Sequence, residues 1–230
     1  MKRILIIGSG GSSDRIDERE GDKFYVANSA ISRIDFQDVT HVISAGLIYN
    51  ESELKSMRPQ FGQTVETSTK NRLHRASLIY GRKTRKAFVI EGNLLIDDPL
   101  ERLVFRGYLS DSFTILRRKS IESMVARHLG YSFLLRCWAK DGNLISLIKI
   151  LSNILFGTHV VHKYKPSTGV ICLLIAIDEN TMHDEYVLKG INSSSKSYYG
   201  SLRLEAPPDH FPFDILAVNK LKLKYNIRQE

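Results

Sequence analysis

The segment Pro-Ser-Thr-Gly at residues 166–169 is the strongest candidate for anion binding in this chain. It directly precedes an apolar stretch, residues 170–177, which predicts a helix. The first backbone N–H groups of a helix lack intrahelical partners and the helix dipole is positive there, so anions bind readily. Ser167 or Thr168 can cap the helix, and Gly169 lets a ligand approach the backbone closely. An ordinary N-cap also explains the hydroxyl residues and stays open as the alternative.

A second polar turn, Gly-Ser-Gly-Gly-Ser-Ser at residues 8–13, follows the first apolar stretch. It is similar to the glycine-rich turn that binds dinucleotides, but Ser13 stands where the third glycine is expected. NAD sites also need an acidic residue at the end of the second strand, where this chain has Asn28. An amide can hydrogen-bond a ribose or a base, so the pattern favours a nucleotide and ranks an NAD-dependent oxidoreductase last. The alternative is that the glycines serve only tight packing of strand against helix.

Three further residues near the end of the chain have side chains suited to catalysis. His210 lies just before a predicted helix and could act as a general base near neutral pH, oriented by Asp209 or Asp214. Tyr198 and Tyr199 lie in a serine-rich loop and could donate phenolic hydrogen bonds to a phosphate. The alternatives are a loop histidine without a catalytic role and tyrosines that only pack.

Several common metal and phosphate motifs do not occur in the sequence. There is no Asp-x-Asp pair of the type that holds a divalent metal in many sugar-nucleotide enzymes, and no Gly-x-x-x-x-Gly-Lys-Ser/Thr loop. His159 and His162 have no nearby cysteine or Glu-x-x-His partner, which argues against a zinc site. The sequence therefore predicts neither a metal centre nor a P-loop kinase.

The elements expected around these residues alternate between strand and helix. Apolar stretches predict strands at residues 4–7, 24–27, 41–45, 87–90, 113–116 and 185–191. Helical spacing predicts helices at residues 12–20, 51–57, 170–177 and 213–223, and further helices within 120–156. This alternation indicates the α/β fold class with one mostly parallel, Rossmann-like sheet flanked by helices. We assign residues 1–57 and 163–230 to the core of a single domain, and residues 58–162 to a helical cap that begins with a turn-rich basic stretch.

A basic segment contributes much of the formal net charge of +8. Seven cations and no acid lie between Glu66 and Glu91: Lys70, Arg72, Arg75, Arg82, Lys83, Arg85 and Lys86. The segment is either a solvated basic face or a surface that meets nucleic acid, anionic membrane or an anionic substrate. Between Lys70 and Lys86 only Tyr80 is aromatic, and no nucleic-acid motif occurs, so a nucleic-acid partner is not expected.

The cysteines and apolar stretches bear on localisation. Cys137 and Cys172 both lie in apolar stretches, which favours buried free thiols in a reducing cytoplasm, with a single disulfide as the alternative. The first apolar stretch is too short for a signal peptide, and no run of eighteen apolar residues occurs. We therefore expect a cytoplasmic protein, with peripheral contact to the inner membrane through the basic segment.

The two polar turns, with the strands that follow them, resemble the two sialyl motifs of sialyltransferases. Residues 4–13 followed by 24–30 (Phe-Tyr-Val-Ala-Asn-Ser-Ala) resemble the first motif. Residues 166–177 followed by 184–191 (Asp-Glu-Tyr-Val-Leu-Lys-Gly-Ile) resemble the second. The order and spacing are most similar to the compact bacterial lipooligosaccharide sialyltransferases of the Campylobacter type, and the eukaryotic sialyl-motif enzymes have the same order.

The end of the chain extends the resemblance. Tyr198-Tyr199 and the pattern His210-x-x-x-Asp214 fall where those enzymes carry their late tyrosine/histidine and histidine/acid motifs. The resemblance covers the first fifty and the last seventy residues.

The resemblance implies a glycosyltransferase domain of a GT-A-variant type. Its activity would be metal-independent, inverting transfer of sialic acid from CMP-sialic acid to a sugar hydroxyl of a glycan or glycolipid, with no further cofactor. The residues implied in donor binding are Gly8, Ser9, Gly10, Asn28, Ser167, Thr168, Gly169 and Gly190. Tyr198 or Tyr199 would stabilise the departing phosphate, and His210 would deprotonate the acceptor hydroxyl. The alternative is a basic nucleotide- or anion-binding protein, docked on nucleic acid or membrane, without transferase activity.

Overall fold

The computed structural model of the chain describes residues 1–10, 14–57, 59, 63–91, 98–133, 166–191, 197–198, 202–203 and 211–230. Its strands are β1 (Arg3–Ile7), β2 (Lys23–Ala27), β3 (Thr40–Ser44), β4 (Lys83–Ile90), β5 (Leu109–Leu116), β6 (Glu185–Lys189), β7 (Ser197–Tyr198), β8 (Leu202–Arg203) and β9 (Asn226–Gln229). Seven of them form one sheet in the order β5-β4-β3-β2-β1-β6-β9, and all neighbouring strands in it are parallel. The short strands β7 and β8 pair with each other antiparallel.

Helices cover both faces of this sheet, as a parallel sheet requires. The described helices are α1 (Glu51–Ser56), α2 (Val65–Ser77), α3 (Pro99–Phe105), α4 (Arg118–Leu129), α5 (Thr168–Glu179) and α6 (Phe211–Lys222). Helices α4, α5 and α6 pack on one face, and α2 and α3 lie over the other. Three-residue or six-residue 3₁₀ turns occur at Glu18–Glu20, Asn28–Arg33 and Ala45–Leu47.

Helix α5 is the central helix of the protein. Its residues 169–177 are all buried, which agrees with the nearly continuous apolar sequence of this stretch. It runs antiparallel to the strands, because its first residues lie near the residue that follows β6 and its last residues lie near β2. The beginning of α5 is therefore at the carboxyl edge of the sheet, the same edge as the ends of all seven strands.

The structure confirms the predicted fold class: an α/β protein with a parallel sheet flanked by helices. Each of the six predicted strands overlaps an observed one, and the predicted helices at residues 51–57, 170–177 and 213–223 correspond to α1, α5 and α6. These elements were predictable because their apolar residues are contiguous or follow a regular period.

The middle of the chain differs from the prediction. Strands β4 and β5 belong to the main sheet, although residues 58–162 were assigned to a cap. Helix α2 was expected to be a turn-rich stretch. Its buried face is mostly polar, so no apolar period marks it in the sequence. The buried residues on that face are Ser68, Thr69, Arg72, Arg75 and Ala76.

Two predictions near the ends of the chain also differ. The helix predicted at residues 12–20 is reduced, in the described residues 14–20, to the 3₁₀ turn Glu18–Glu20. Ile16 is the only apolar residue among these seven, so a helix there would have no apolar face to bury. Strand β9 was not predicted, because it has four residues and only Ile227 is apolar.

Candidate functional site

The topology of the sheet places a crevice at the carboxyl ends of β1 and β6. After β1, the strands β2, β3, β4 and β5 are added one after another on one side of it. The chain then crosses to the other side of β1, where it forms β6. Loops after β1 and β6 leave in opposite directions at such a switch point, and open parallel sheets bind their ligands there. The turn at residues 8–10 follows β1, and Gly190 follows β6.

The glycines after β1 and β6 are in backbone contact across this switch point. The Gly8 N–H donates to the Lys189 carbonyl at 2.7 Å, and the Gly10 N–H donates to the Gly190 carbonyl at 2.9 Å. Gly190 has a φ of 67°, and a Cβ added to it would overlap the Gly10 carbonyl oxygen. These glycines are therefore required for close approach of the two loops, and the N–H groups of Gly8 and Gly10 are used within the protein.

Ile191 joins the two turns that the sequence singled out. A Cβ added to Gly8 would lie 2.6 Å from Ile191 Cγ1, and one added to Gly169 would lie 3.2 Å from the same atom. Both turns thus pack on one buried side chain at the carboxyl edge of the sheet. The structure brings together two segments that are about 160 residues apart in the sequence.

Asn28 begins the loop after β2 in an unusual backbone conformation. Its φ is 53°, the only positive value among the described non-glycine residues. Asparagine tolerates this left-handed region better than most residues. Its Oδ1 accepts a hydrogen bond from the Ser44 N–H at 2.8 Å, which ties the ends of β2 and β3 together. No described residue accepts a hydrogen bond from its Nδ2, so this amide can donate to a ligand.

A buried hydrogen-bond chain holds the Asn28 backbone. His41 Nε2 donates to the Asn28 carbonyl at 2.7 Å, so the other ring nitrogen, Nδ1, accepts from Tyr108 at 2.8 Å. The Tyr108 hydroxyl in turn accepts from Thr84 at 2.9 Å. Burial lowers the pKa of His41 to about 4, so the imidazole is neutral and this direction of donors holds at physiological pH. The sequence did not predict this series of hydrogen bonds, although a histidine within an apolar strand, His41, was a signal for it.

The N-terminus of α5 is capped as the sequence predicted. Ser167 Oγ accepts from the Val170 N–H at 3.2 Å. Thr168 is half-buried, and Gly169 is buried against Ile191. The backbone N–H groups of Thr168 and Gly169 have no acceptor in the described part of the chain, and the positive end of the helix dipole lies there. The N-cap role is therefore present, and two donors remain that could bind an anion.

Asp214, at the beginning of α6, is the most perturbed acid near this helix end. Its Oδ1 accepts from the Ser167 N–H at 3.0 Å, and the Ser167 side chain also hydrogen-bonds the carboxyl. Only 3% of the residue is exposed, and burial raises the pKa of this carboxyl to about 7 although the hydrogen bonds oppose the shift. A buried carboxyl whose pKa is raised toward neutral pH, at the carboxyl edge of the sheet, is a candidate functional group.

Some predicted residues fall outside the description. His210, Tyr199 and residues 11–13 are outside the described residues, and Tyr198 lies in β7 without a described side chain. Ser9 is described, and its hydroxyl donates to the Ala27 carbonyl at 3.3 Å. All eight residues expected to bind the sugar-nucleotide therefore lie at the same edge of the sheet. The catalytic roles of His210, Tyr198 and Tyr199 stay predictions.

The basic segment is largely engaged in contacts within the fold. Arg72 and Arg75 are buried in α2. Arg82 donates to the Ile34 carbonyl at 3.1 Å, Arg85 pairs with Asp38 at 3.0 Å, and Lys86 pairs with Glu179. Five of its seven cations are thus buried or bonded within the protein, while Lys70, Lys83 and Arg85 are exposed to solvent.

The described residues contain no candidate metal centre and no candidate membrane-spanning helix. No group of three or more His, Cys, Asp or Glu side chains in these residues is arranged to hold a metal ion. None of the helices described is both long and apolar enough to cross a membrane. Cys172 is buried with a free thiol, and burial raises its pKa well above the usual value, so it has no sign of reactivity.

Comparisons of this chain with protein-family models, with curated protein sequences and with solved structures found no match. The fold and the geometry at the carboxyl edge are therefore the basis on which a function can be assigned.

Proposed function

We propose that this chain is a glycosyltransferase that moves sialic acid from CMP-sialic acid to a sugar hydroxyl, with inversion and without a metal. The observation that carries the proposal is the contact of Gly8 and Gly169 with the same Ile191 side chain at the switch point of the sheet. The two turns that resemble sialyl motifs are thereby adjacent in space. A parallel sheet binds nucleotides at this position.

The nucleotide half of the donor fits the loops after β1 and β2. Since the N–H groups of Gly8 and Gly10 are bonded within the protein, other atoms must supply the hydrogen bonds to the nucleotide. Asn28 Nδ2 is one such donor, and it is held in place by the hydrogen bond from Ser44 to Oδ1. We assign to it a hydrogen bond with the cytidine, whose ribose and base offer acceptors.

The sialyl carboxylate fits the beginning of α5. The N–H groups of Thr168 and Gly169, together with the helix dipole, favour an anion there. A carboxylate at this position would lie beside Asp214, whose charge would repel it. The raised pKa of Asp214 removes much of that repulsion, because the carboxyl is largely neutral at slightly acidic pH. The donor should therefore bind more tightly as the pH falls from 8 to 6.

The chemistry follows from the residues that the sequence assigns. The acceptor oxygen attacks the anomeric carbon of sialic acid, the bond from that carbon to the phosphate oxygen breaks, and CMP leaves. His210 takes the proton of the acceptor hydroxyl, and Tyr198 or Tyr199 donates a hydrogen bond to the departing phosphate. A monophosphate leaving group stabilised in this way needs no cation. The domain would then be a variant of the GT-A arrangement, with the acceptor glycan or glycolipid bound over this edge.

The direct test is to incubate the purified chain with CMP-sialic acid and measure release of CMP, with a panel of glycan acceptors and with water. Calorimetry with CMP, UMP and NAD should show binding of CMP alone. His210→Ala should reduce turnover at least about 100-fold and leave CMP binding nearly unchanged, which is the usual size of a general-base contribution. If CMP neither binds nor is released, the proposed function is wrong. Full turnover in the histidine variant would contradict only the assignment of the base.

A second variant tests the nucleotide contact without removing the fold. Asn28→Gly keeps the left-handed backbone, because glycine adopts a positive φ easily, but it lacks the amide. We expect about tenfold weaker CMP binding, or about 1.4 kcal/mol. Asn180→Gly is the matched control, since Asn180 also makes side-chain hydrogen bonds but lies at the opposite edge of the sheet. Equal loss of CMP affinity in both variants would contradict the assignment of Asn28.

A further inference from the structure

The two outer edges of the sheet are built differently. The edge strand β9 has four residues, with the sequence Asn-Ile-Arg-Gln, so it is short and polar. The other edge strand, β5, has eight residues and contains no Lys, Arg or Pro, and Asp111 is its only charged residue. Proteins protect exposed edges with short strands, lysine, proline or bulges. The described structure of β5 has none of these, and within the described residues no strand pairs with its outer edge.

Exposed apolar side chains concentrate at the β5 edge. The described residues include ten large apolar side chains that are exposed, and four of them lie between residues 104 and 115. Phe105 is 90% exposed, Leu109 and Val104 are each 50% exposed, and Ile115 is 41% exposed. Clusters of this kind mark interaction surfaces, whereas single exposed apolar residues are ordinary.

We propose that β5 pairs antiparallel with β5 of a second copy of this chain, which joins two sheets into one. In such a pair of identical strands related by a two-fold axis, the numbers of any two opposite residues add up to the same sum. That sum must be even, because two opposite residues either both direct their N–H and C=O groups toward the partner strand or both direct them away from it. A sum of 228 places Thr114 on the axis. Asp111 then lies opposite Arg117, and Phe113 lies opposite Ile115.

Charge complementarity selects this register. Asp111 and Arg117 are both exposed; Asp111 interacts electrostatically with Arg85 of β4, and no described residue forms an ion pair with Arg117. In the register with Thr114 on the axis, the symmetry creates two ion pairs between the copies. A sum of 226 would place Asp111 against Ile115, and a sum of 224 would place it against Phe113. Both alternatives set a charge against an apolar side chain, which costs free energy at an interface.

The remaining exposed residues fit the same arrangement. Because the strands run antiparallel, the beginning of β5 lies beside the end of β5 in the second copy. Leu109 and Ile115 lie on the face of β5 that carries Phe113 and packs toward α3, so both would lose exposure on that face of the joined sheet. The strands of the two copies run in opposite directions, so the two candidate sites would lie at opposite sides of the joined sheet and remain open.

Sedimentation and light scattering of the full chain over a range of concentrations test the proposal. We expect twice the mass of one chain for the wild type. Ile115→Lys should weaken the association at least about tenfold, because it places a charge against Phe113. Leu223→Lys is the matched control, since Leu223 is 86% exposed but lies far from β5 in the sheet order, beside β9. A monomer at all concentrations, or equal effects of the two variants, would overturn the proposal.

Two further variants test the register. Asp111→Arg should dissociate the two copies, and adding Arg117→Asp should restore them, because the swapped charges again face each other. In a Cys137→Ser background, Thr114→Cys should form a disulfide between copies on oxidation, since residues facing across a two-fold axis lie within disulfide range. Ser112→Cys should not, because Leu116 faces it. Cross-linking through Ser112→Cys instead, or no rescue by the double swap, would show that this register is wrong.

Discussion

Two buried carboxyl groups, one at each edge of the sheet, have opposite protonation behaviour. Asp184, at the amino edge just before β6, accepts hydrogen bonds from the Lys2 and Thr181 N–H groups and from the Thr181 hydroxyl, at 2.8 to 3.1 Å. These hydrogen bonds lower its pKa. Asp214, at the carboxyl edge, accepts a hydrogen bond from the Ser167 N–H, and burial raises its pKa to about 7.

The difference extends to the surroundings of each group. At the amino edge, His128 bridges Asp178 and Tyr225, and Tyr25 bonds both Glu179 and Asn180. Polar groups there bond one another and close that end of the sheet.

At the carboxyl edge, by contrast, Asn28 is the one described non-glycine residue with a positive φ, and the loops after β1 and β6 approach so closely that a Cβ added to Gly8 or Gly190 would overlap backbone atoms. Donors at Asn28 and at the start of α5 have no acceptor in the described residues. The comparison teaches that one edge stabilises the fold, while the other carries strain and unused hydrogen-bonding capacity, as functional sites often do.

The largest expected effect is the loss of a glycine at the carboxyl edge. Gly190→Ala would place a methyl group into the Gly10 carbonyl at a positive φ, so we expect a loss of more than about 4 kcal/mol in the free energy of unfolding. Gly81→Ala is the control at the amino edge, where φ is also positive at 72° but nothing lies within 4 Å of the added Cβ. Backbone strain alone should cost it about 1 kcal/mol. Urea denaturation of both variants measures the difference, and equal losses would contradict the close approach of the two loops.

The second effect is on the dependence of stability on pH. Because the pKa of Asp214 is raised in the folded state, the folded protein binds the proton more tightly than the unfolded chain, and stability falls as the pH rises from about 4 to about 7. The full cost at pH 8 is about 4 kcal/mol. Asp214→Asn keeps an oxygen acceptor for Ser167 and removes this cost, so its stability should be nearly flat over that range and exceed that of the wild type at pH 8.

Asp184→Asn should have the opposite sign. Its lowered pKa contributes stability that is present above the ordinary Asp pKa and is lost as the pH falls through the folded value. The variant should therefore be less stable than the wild type at pH 7, and the difference should shrink below about pH 4. Thermal unfolding of both variants from pH 3 to pH 8 measures these profiles. Parallel profiles for the two asparagine variants would refute the contrast between the edges.

The smallest expected effect separates stability from ligand binding. Tyr108→Phe removes the hydroxyl between His41 and Thr84, and Tyr186→Phe removes the hydroxyl that donates to the Thr181 carbonyl at the amino edge. Each should cost about 1–3 kcal/mol, because a buried group loses its partner. Only Tyr108→Phe should also weaken CMP binding, by a few-fold, since it loosens the chain that holds Asn28. Calorimetry measures the CMP affinity of both variants under conditions in which equal fractions are folded. An equal loss of affinity in both would contradict the role of Tyr108 in holding Asn28.

The parts of the fold that could be predicted are those with a local signal. The apolar stretches at β1, β2 and β6 predicted buried strands, and Ser167 before an apolar stretch predicted the cap of α5. The buried face of helix α2 is mostly polar, so the sequence has no apolar period that predicts this helix. The site was predicted as a set of residues, but not how they act: the turn at residues 8–13 was expected to hold the nucleotide, and the N–H groups of Gly8 and Gly10 donate to Lys189 and Gly190 of the protein.

The sequence by itself determined the α/β class, the apolar strands, the cap of α5 and the residues at the carboxyl edge, because each depends on neighbours within one element. The tertiary structure alone decided that Gly8 and Gly169 meet at Ile191, that the cations between Glu66 and Glu91 are mostly engaged within the fold, and that Asp214 titrates near neutral pH. These properties arise from burial and from contacts between segments distant in the chain. Residue order does not specify such contacts until the sheet has assembled.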